Sequence, residues 1–363
     1  MKTFEKNIRK VEPYVPGEQP LQKVIKLNTN ENPYPPAPGV EKALKSMDVD
    51  RLRLYPDPTA GELVKALADF YHVDENQVFV GVGSDDVLSM CFLTFFNSEK
   101  PILFPDITYS FYKVWAQLYR IPYECRPVDE NFCIIKEDYY KENGGIIFPN
   151  PNAPTGIYME LGDVEEIIAR NQDVIVIVDE AYIDFAGKSA LELIDKYENL
   201  IVVQTFSKAR SMAGMRIGYA VSNPHLIKYL NDAKYSFNSY TMNQAAIVCG
   251  VEAVKDKEYF EKGIRKITRS REWAKEELKK RGFLCLDSKA NFIFATHPGY
   301  DVQKLYAALK SKGIYVRYWG SERIEQYVRI TVGTKDEMDT LFGFLDGYLA
   351  AEKESVKDSS IFN

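Results

Sequence analysis

One stretch of the chain decides both its fold class and its chemistry: Leu200-Ile-Val-Val-Gln-Thr-Phe-Ser-Lys-Ala-Arg-Ser-Met-Ala-Gly-Met-Arg-Ile-Gly-Tyr219. It opens with a short apolar run, which is typical of a strand buried on both faces of a parallel sheet. Lys208 follows where that strand should end. Arginines at positions 210 and 216 come soon after it, and nearby positive charge favours the neutral amine that a Schiff-base lysine needs. Taken alone, the stretch is equally compatible with surface cations after a strand.

Length and composition limit the class of protein. The 363 residues suit one large domain with a smaller one, and the 45% that are hydrophobic suffice for a sizeable core. A net charge of −6 argues against a nucleic-acid or membrane-surface binder. No apolar run approaches the roughly 18 residues of a membrane span. The five cysteines include no CxxC pair and the three histidines are far apart, so we expect a reduced, cytoplasmic protein without a metal site.

The middle of the chain, residues 41–250, alternates between strands and helices. The predicted strands are short apolar runs followed by polar residues, at 77–80, 102–104, 145–148, 174–178 and 200–203. The predicted helices between them cover 61–71, 85–96, 108–119 and 161–170. This alternation predicts a large α/β domain in which helices cover a mostly parallel sheet.

The two ends of the chain have a different character. Residues 1–40 are rich in proline and predict an extended arm that joins the smaller domain, with a simple linker as the alternative. Residues 251–352 predict a smaller α+β domain, and residues 353–363 a frayed polar tail. The smaller domain's predicted helices are 256–281, 302–311 and 335–351, and its predicted strands 283–286, 291–294, 315–318 and 327–332.

Polar and aromatic residues follow the first three strands of the large domain. Ligands of open parallel sheets bind beyond the carboxyl ends of the strands. Gly83-Ser84-Asp85 opens a helix and can hold a phosphate on backbone N–H groups, although a plainly capped helix is the simpler alternative. Tyr109 can stack on a flat ring, and Asn152 can present an amide from a proline-rich loop. A core tyrosine and a turn without a ligand are the alternatives.

The last two strands end in ionisable groups, Asp179 and Lys208. A carboxylate after a buried strand is costly unless it meets a cation or a donor, and a protonated pyridine nitrogen is one such partner. A helix cap is the alternative. Tyr182 can donate to a phenolic oxygen nearby. A phosphate cradle, an aromatic plate, an amide, an acid and a lysine on one sheet edge together match pyridoxal phosphate (PLP).

Eight motifs carry a resemblance to a known family. They are Asn30-Glu-Asn-Pro33, Leu54-Tyr-Pro-Asp-Pro58, Gly83-Ser-Asp85, Asn150-Pro-Asn-Ala-Pro-Thr-Gly156, Val178-Asp-Glu-Ala-Tyr182, Ser207-Lys-Ala209, Ala213-Gly-Met-Arg-Ile-Gly-Tyr219 and Val328-Arg-Ile-Thr-Val-Gly333. Through them the chain resembles the fold-type I PLP-dependent aminotransferases, and within their class II subgroup it is similar to the histidinol-phosphate aminotransferases. The lysine motif Ser207-Lys-Ala209 and the motif Asn150–Gly156 are specific for the fold type and less so for the substrate.

The resemblance implies a role for each cofactor-binding residue. Lys208 would form the Schiff base with PLP and carry the proton during transfer, and Asp179 would hold the pyridinium proton. Asn152 and Tyr182 would bond the phenolic oxygen, and Tyr109 would stack on the ring. The phosphate would be held by Gly83, Ser84, Asp85, Ser207 and Arg216, with Tyr55 reaching over from the second subunit of a homodimer.

The resemblance also implies a substrate. Arg329 would grip the carboxylate of the amino donor, while Arg317 with Tyr14 would receive a phosphate, and Asn32 would join the substrate site. A bidentate guanidinium suits both anions, although solvated edge arginines are the alternative. The implied reaction converts L-histidinol phosphate, a phosphorylated amino alcohol, and 2-oxoglutarate into imidazole-acetol phosphate and L-glutamate, in L-histidine biosynthesis. Arg210-Ser-Met212 departs from the aromatic residue and leucine of many relatives.

Other functions fit the same motifs. An aromatic or broad-range amino-acid aminotransferase and a threonine-phosphate decarboxylase would share the fold and the cofactor. A non-enzymatic regulatory protein on a retired aminotransferase fold would lack Lys208 or Asp179, or would carry a DNA-binding domain. Both residues are present, and residues 1–40 are too short and too proline-rich for such a domain.

Overall fold

The computed structural model describes residues 3–361, and the side chains of residues 3–354. Its helices are α1 Pro38–Lys45, α2 Gly61–Tyr71, α3 Ser84–Phe95, α4 Phe111–Tyr119, α5 Leu161–Arg170, α6 Pro224–Phe237, α7 Gln244–Lys255, α8 Lys257–Lys280, α9 Val302–Ser311 and α10 Lys335–Ile361. Within residues 3–361, none of these helices has the length and apolar character needed to cross a membrane.

The strands form one large sheet and two smaller ones. They are β1 Ile25–Lys26, β2 Val78–Gly81, β3 Ile102–Pro105, β4 Tyr123–Arg126, β5 Ile146–Pro149, β6 Val176–Asp179, β7 Leu200–Thr205, β8 Gly218–Ser222, β9 Leu284–Cys285, β10 Phe292–Thr296, β11 Ile314–Tyr315, β12 Arg317–Tyr318 and β13 Val328–Thr331. The seven-stranded sheet has the order β2-β8-β7-β6-β5-β3-β4. Its pairs are parallel except the two that involve β8. The carboxyl ends of the other six strands therefore lie along one edge.

Both faces of the seven-stranded sheet are covered. In β6, Val176 and Val178 belong to the core on one face, and Ile177 belongs to the core on the other. In β2, Val78 and Val80 belong to the core on one face, and Phe79 belongs to the core on the other. The apolar runs form strands here because neither face meets water. The predicted α/β fold class, with a mostly parallel sheet covered by helices, is confirmed.

A four-stranded antiparallel sheet of order β12-β13-β10-β9 lies in the C-terminal part of the chain. Its core also includes side chains of α8, α9 and α10. The predicted single strand over 315–318 is wrong, because the chain changes partners at the buried Val316. Residues before it pair with β1, and residues after it pair with β13.

The sequence pattern missed β1, α1, β4, β8, α6 and α7. The half-buried edge strand β4 mixes charged and apolar residues, so it lacks the apolar run of the other strands. The predicted helix over 108–119 begins only at Phe111. The expected frayed tail is also wrong, because α10 continues to Ile361. Residues 1–2 of the predicted arm and 362–363 of the predicted tail lie outside the described residues.

Candidate active site

The carboxyl edge of the seven-stranded sheet borders a cavity of about 830 Å³. It is lined by these predicted site residues: Tyr14, Ser84, Asp85, Tyr109, Asp179, Tyr182, Ser207, Lys208, Arg216, Arg317 and Arg329. Because β8 alone is reversed, the loops after β2, β3, β6 and β7 all contribute to this lining. The two arginines of the four-stranded sheet complete the wall.

Lys208 lies in this cavity, on the loop that leaves β7 and three residues after the end of that strand. Its Nζ donates to the carbonyl of Thr29 at 3.2 Å and lies 5.6 Å from the centroid of the Tyr182 ring. The Asn32 amide donates to the backbone carbonyls of Lys208 and Ala209 at 3.1 and 3.2 Å. The amine thus donates to one neutral carbonyl oxygen, and the backbone of Lys208 is held by Asn32.

Asp179 is a buried carboxylate at the end of β6, with 4% of its surface exposed. Its Oδ2 accepts from the Tyr112 hydroxyl at 2.7 Å, and its Oδ1 accepts from the N–H of Ala181 at 3.3 Å. Burial raises the pKa of Asp179 to about 6, although these two hydrogen bonds oppose the rise. Within residues 3–354 it forms no salt bridge, so the site offers an anion that a bound cation would stabilise.

The loop between β2 and α3 meets the loop before β8. The Arg216 Nη2 lies 3.2 Å from Oδ2 of Asp85, and α3 begins at Ser84 without a side-chain cap. Gly83 has φ +89°, and a Cβ on it would lie 2.4 Å from that guanidinium nitrogen. A Cβ on Gly218 would lie 2.2 Å from the backbone nitrogen of Ser84. The two glycines let the loops approach closely, leaving a helix N-terminus and a guanidinium to face one anion.

Two tyrosines border the middle of the cavity. The Tyr109 hydroxyl donates to Oδ1 of Asp85 at 2.8 Å, and burial together with this carboxylate raises the tyrosine's pKa well above its ordinary value. The Tyr182 hydroxyl accepts from the amide of the buried Asn30 at 2.9 Å. Because that bond uses an oxygen lone pair, the hydroxyl proton of Tyr182 is left for another acceptor.

Arg317 and Arg329 are held by backbone carbonyls. Arg329 Nη2 donates to Asn28 at 3.0 Å, and Arg317 Nη2 donates to Val15 at 3.0 Å. The Tyr14 ring, from the same N-terminal segment, lies 4.3 Å from the ring of Phe111. Burial raises the pKa of Tyr14, although the two arginines oppose the rise.

Four predicted site residues do not line the cavity: Asn32, Tyr55, Gly83 and Asn152. Asn32 and Gly83 shape the loops beneath it, as described above. The Asn152 amide donates instead to the carbonyl of Ile107 at 2.9 Å. Tyr55 is 81% exposed and stacks on Tyr240 at 4.5 Å.

Arg210 does not join Lys208 in the cavity, contrary to the prediction of two cations beside that lysine. It is 5% exposed, its guanidinium lies 4.0 Å from the Phe260 ring centroid, and its Nη1 donates to the carbonyl of Ala253 at 2.8 Å. Of the two arginines predicted beside Lys208, only Arg216 lines the cavity, where it contacts the start of α3. The Arg210 side chain is therefore packed inside the protein and does not line the cavity.

Residues 22–345 match the family model described as aminotransferase class I and II. The chain belongs to this family. The aminotransferase is 50% identical over 354 residues to the histidinol-phosphate aminotransferase of Lactococcus lactis subsp. cremoris (strain MG1363), a match that covers 97% of this chain and 99% of that protein. It is 51% identical over 342 residues to the one from Brachyspira hyodysenteriae (strain ATCC 49526 / WA1), covering 93% and 97%.

A solved structure shares the fold of this aminotransferase. It is the histidinol-phosphate aminotransferase from Sinorhizobium meliloti in complex with pyridoxal-5'-phosphate, with a TM-score of 0.81 over 90% of each chain and 23% sequence identity. The predicted membership of the fold-type I aminotransferases is confirmed.

The residues of this aminotransferase fit three functional groups of PLP: the phosphate, the ring nitrogen and the aldehyde. The uncapped start of α3 and Arg216 suit a phosphate. Asp179, buried and without a salt bridge among residues 3–354, suits a protonated ring nitrogen. The Lys208 amine opens into the same cavity and suits an aldehyde.

Sequence reasoning missed three residues that support the site of this aminotransferase. Tyr112 bonds Asp179, and its only signal was its place one helical turn after Tyr109. Asn30 bonds Tyr182 and belongs to the Asn30-Glu-Asn-Pro33 motif, in which only Asn32 had been assigned a role. Trp319 lines the cavity two residues after Arg317.

Proposed function

We propose that this aminotransferase exchanges an amino group between L-histidinol phosphate and 2-oxoglutarate, giving imidazole-acetol phosphate and L-glutamate in L-histidine biosynthesis. The observation that carries the proposal is the 50% identity over 97% of the chain to a protein named for this activity. The cavity supports it, because Arg317 and Arg329 place two cations in the wall that also holds Lys208. Guanidinium groups bind phosphates and carboxylates equally well.

We assign PLP as the cofactor, with its phosphate at Ser84, Ser207 and Arg216 and its ring against Tyr109. Bound PLP supplies an aldehyde that condenses with amines and a ring that withdraws electrons from the substrate Cα. The Asp85 carboxylate orients this end of the site, because it bonds both the Tyr109 hydroxyl and Arg216. The assignment of Asn152 to the phenolic oxygen requires its second amide N–H, since the first is used by Ile107.

Lys208 is the proposed general base. Its amine would take a proton from the substrate Cα and return one to the neighbouring carbon of the cofactor. A general base transfers a proton only when it lies within hydrogen-bond reach of the two carbon atoms between which the proton moves. The backbone at Lys208 must therefore stay in a fixed position. Asn32 meets this need through its two bonds to the carbonyls of that loop.

Asp179 is the proposed partner of the ring nitrogen. With a pKa of about 6, its carboxyl is mostly ionised at neutral pH, and a cation beside it would stabilise that charged form further. The Tyr112 hydroxyl stabilises the same charged form. Asp179, with its charge supported by Tyr112, would hold the proton of the ring nitrogen during proton transfer by Lys208.

The proposed assembly is a cytoplasmic homodimer. Tyr55, expected at the cofactor of the second subunit, points away from the cavity of its own chain and is highly exposed. The same segment exposes Val49, Leu52 and Leu54, and an apolar patch of this kind suits contact with another protein surface. All five cysteines are free, as a reducing compartment favours. Light scattering of the purified protein tests the dimer, and a monomeric mass would refute it.

A substrate panel tests the reaction. Purified protein with added PLP is given 2-oxoglutarate and either L-histidinol phosphate, L-phenylalanine or L-threonine phosphate, and both glutamate and CO₂ are measured. We expect the highest kcat/KM with histidinol phosphate and no CO₂. Equal use of phenylalanine would make it a broad-range aminotransferase, and CO₂ from threonine phosphate would make it a decarboxylase.

Substitution of the two arginines separates the half-reactions. Arg329→Lys replaces a bidentate fork with a point charge, and we expect about a tenfold rise in the KM for glutamate. Arg317→Lys should raise the KM for histidinol phosphate by a similar factor. Arg265→Lys, on the exposed face of α8, is the control. Unchanged KM values in both site variants would remove these arginines from the substrate site.

A further inference from the structure

Arg317 and Arg329 form a pair of like charges. They stand directly opposite each other in the antiparallel pairing of β12 with β13. Cross-strand neighbours on one face have Cβ atoms roughly 5 Å apart, and like charges in this position destabilise a sheet. Another interaction must therefore offset the repulsion between the two guanidinium groups.

No carboxylate neutralises the pair. Within residues 3–354, neither arginine forms a salt bridge, and the nearby Glu18 is bonded to Lys310 at 2.7 Å. Their hydrogen bonds go to backbone carbonyls, and Nε of Arg329 has no partner among the described residues. Both cations therefore keep charge and donors for an incoming anion.

The Trp319 ring lies against both cations. The guanidinium carbons of Arg317 and Arg329 are 5.3 and 5.1 Å from its centroid. Trp319 is two residues after Arg317, which places the two on one face of the extended chain. Its ring also packs edge-on against Phe294, 6.5 Å away, and it lines the cavity that contains Lys208. A ring face attracts guanidinium groups without supplying a counter-charge.

We propose that Trp319 is a positioning residue, which holds the Arg317–Arg329 pair aligned and unneutralised so that it binds doubly charged anionic groups. Phosphate monoesters and dicarboxylates are the ligand classes that such a pair suits. Their identity as substrates rests on the proposed function, whereas the binding of an anion to the pair does not. A carboxylate in place of Trp319 would hold the arginines equally well and would fill the site.

Calorimetric titration of inorganic phosphate into the PLP-loaded protein tests this role directly, because the cofactor's own phosphate site is then occupied. Trp319→Leu removes the ring, and we expect its Kd for phosphate to rise roughly tenfold. Trp319→Phe keeps an aromatic face and should raise it only about threefold. In both variants the KM for glutamate should follow the Kd, while kcat and the visible cofactor band stay within about twofold of the parent values.

Trp273 provides a matched control. It lies on α8 outside the cavity, with Lys335 Nζ 4.3 Å from its ring centroid. Trp273→Leu should leave phosphate binding unchanged. The proposal is overturned if Trp319→Leu binds phosphate as the parent does, or if the Leu and Phe variants lose binding equally together with thermal stability. If the parent does not transaminate histidinol phosphate but Trp319→Leu still loses phosphate, the proposed function fails and the role of Trp319 stands.

Discussion

Tyr112→Phe should destabilise the cofactor-free protein more at pH 8 than at pH 5. The lost hydroxyl donates to Asp179 at 2.7 Å in a buried site, and the pKa of that carboxyl is about 6. A hydrogen bond to a charged group contributes about 1.5–3 kcal/mol, and one between neutral groups about 0.5–1.5 kcal/mol. The carboxyl is mostly ionised at pH 8 and mostly protonated at pH 5. The two losses should therefore differ by about 1 kcal/mol.

The sign follows from linkage. Asp179 has a higher pKa in the folded protein than in the unfolded chain, so its ionisation costs stability as the pH rises from about 4 towards 6 and above. Tyr112→Phe removes a bond that favours the ionised form, which raises this pKa further and enlarges the cost. Urea unfolding of the parent and the variant at both pH values measures the difference.

Tyr139→Phe is the control for this experiment. Tyr139 is equally buried, but its hydroxyl has no hydrogen-bond partner among the described residues. Its removal should change stability little and by the same amount at both pH values. An equal loss in Tyr112→Phe at pH 5 and pH 8 would refute the charge-assisted bond to Asp179.

Three further variants test the site. Lys208→Ala should lose the visible band of lysine-bound PLP and reduce transamination by at least about 10²-fold, as absorbance and glutamate formation would show; retention of the band would refute this lysine as the attachment site. Gly218→Ala should weaken PLP affinity and lower Tm, because its Cβ would lie 2.2 Å from the Ser84 backbone, whereas Gly162→Ala meets nothing within 4 Å and should behave as the parent. Asn32→Ala should lower kcat about tenfold while PLP stays bound, because the Lys208 loop loses two supports; an unchanged kcat would contradict that role.

Five of the seven strands of the large sheet were predictable because they are apolar runs buried on both faces. Runs such as Val176–Val178 need no alternation to be recognised, and the polar residue after each run marks where the strand leaves the core. Knowing that parallel strands share one carboxyl edge was then enough to bring Asp179 and Lys208 together. For this reason, candidate site residues at the ends of buried parallel strands can be predicted from the sequence.

Side-chain partners across the chain were not predictable. Tyr112 reaches Asp179 because α4 packs on the sheet with a particular rotation, and no local pattern specifies that rotation. The sequence predicted Arg210 as a second cation beside Lys208. The chain turns after Lys208, however, and the Arg210 guanidinium lies among phenylalanine rings. The role of Trp319 could not be predicted from the sequence, because it depends on the pairing of β12 with β13 that places Arg317 opposite Arg329.

The reversed strand β8 has a consequence for the order in which the protein is built during synthesis. Because β8 runs opposite to its neighbours, its beginning lies at the cofactor edge, so Arg216 reaches Asp85 across 131 residues of chain. A nascent chain that has emerged only as far as Lys208, in the loop after β7, has the lysine but lacks the guanidinium of Arg216. Contacts of such long sequence separation form late. We therefore expect the growing polypeptide to gain affinity for PLP only after β8 has inserted between β2 and β7.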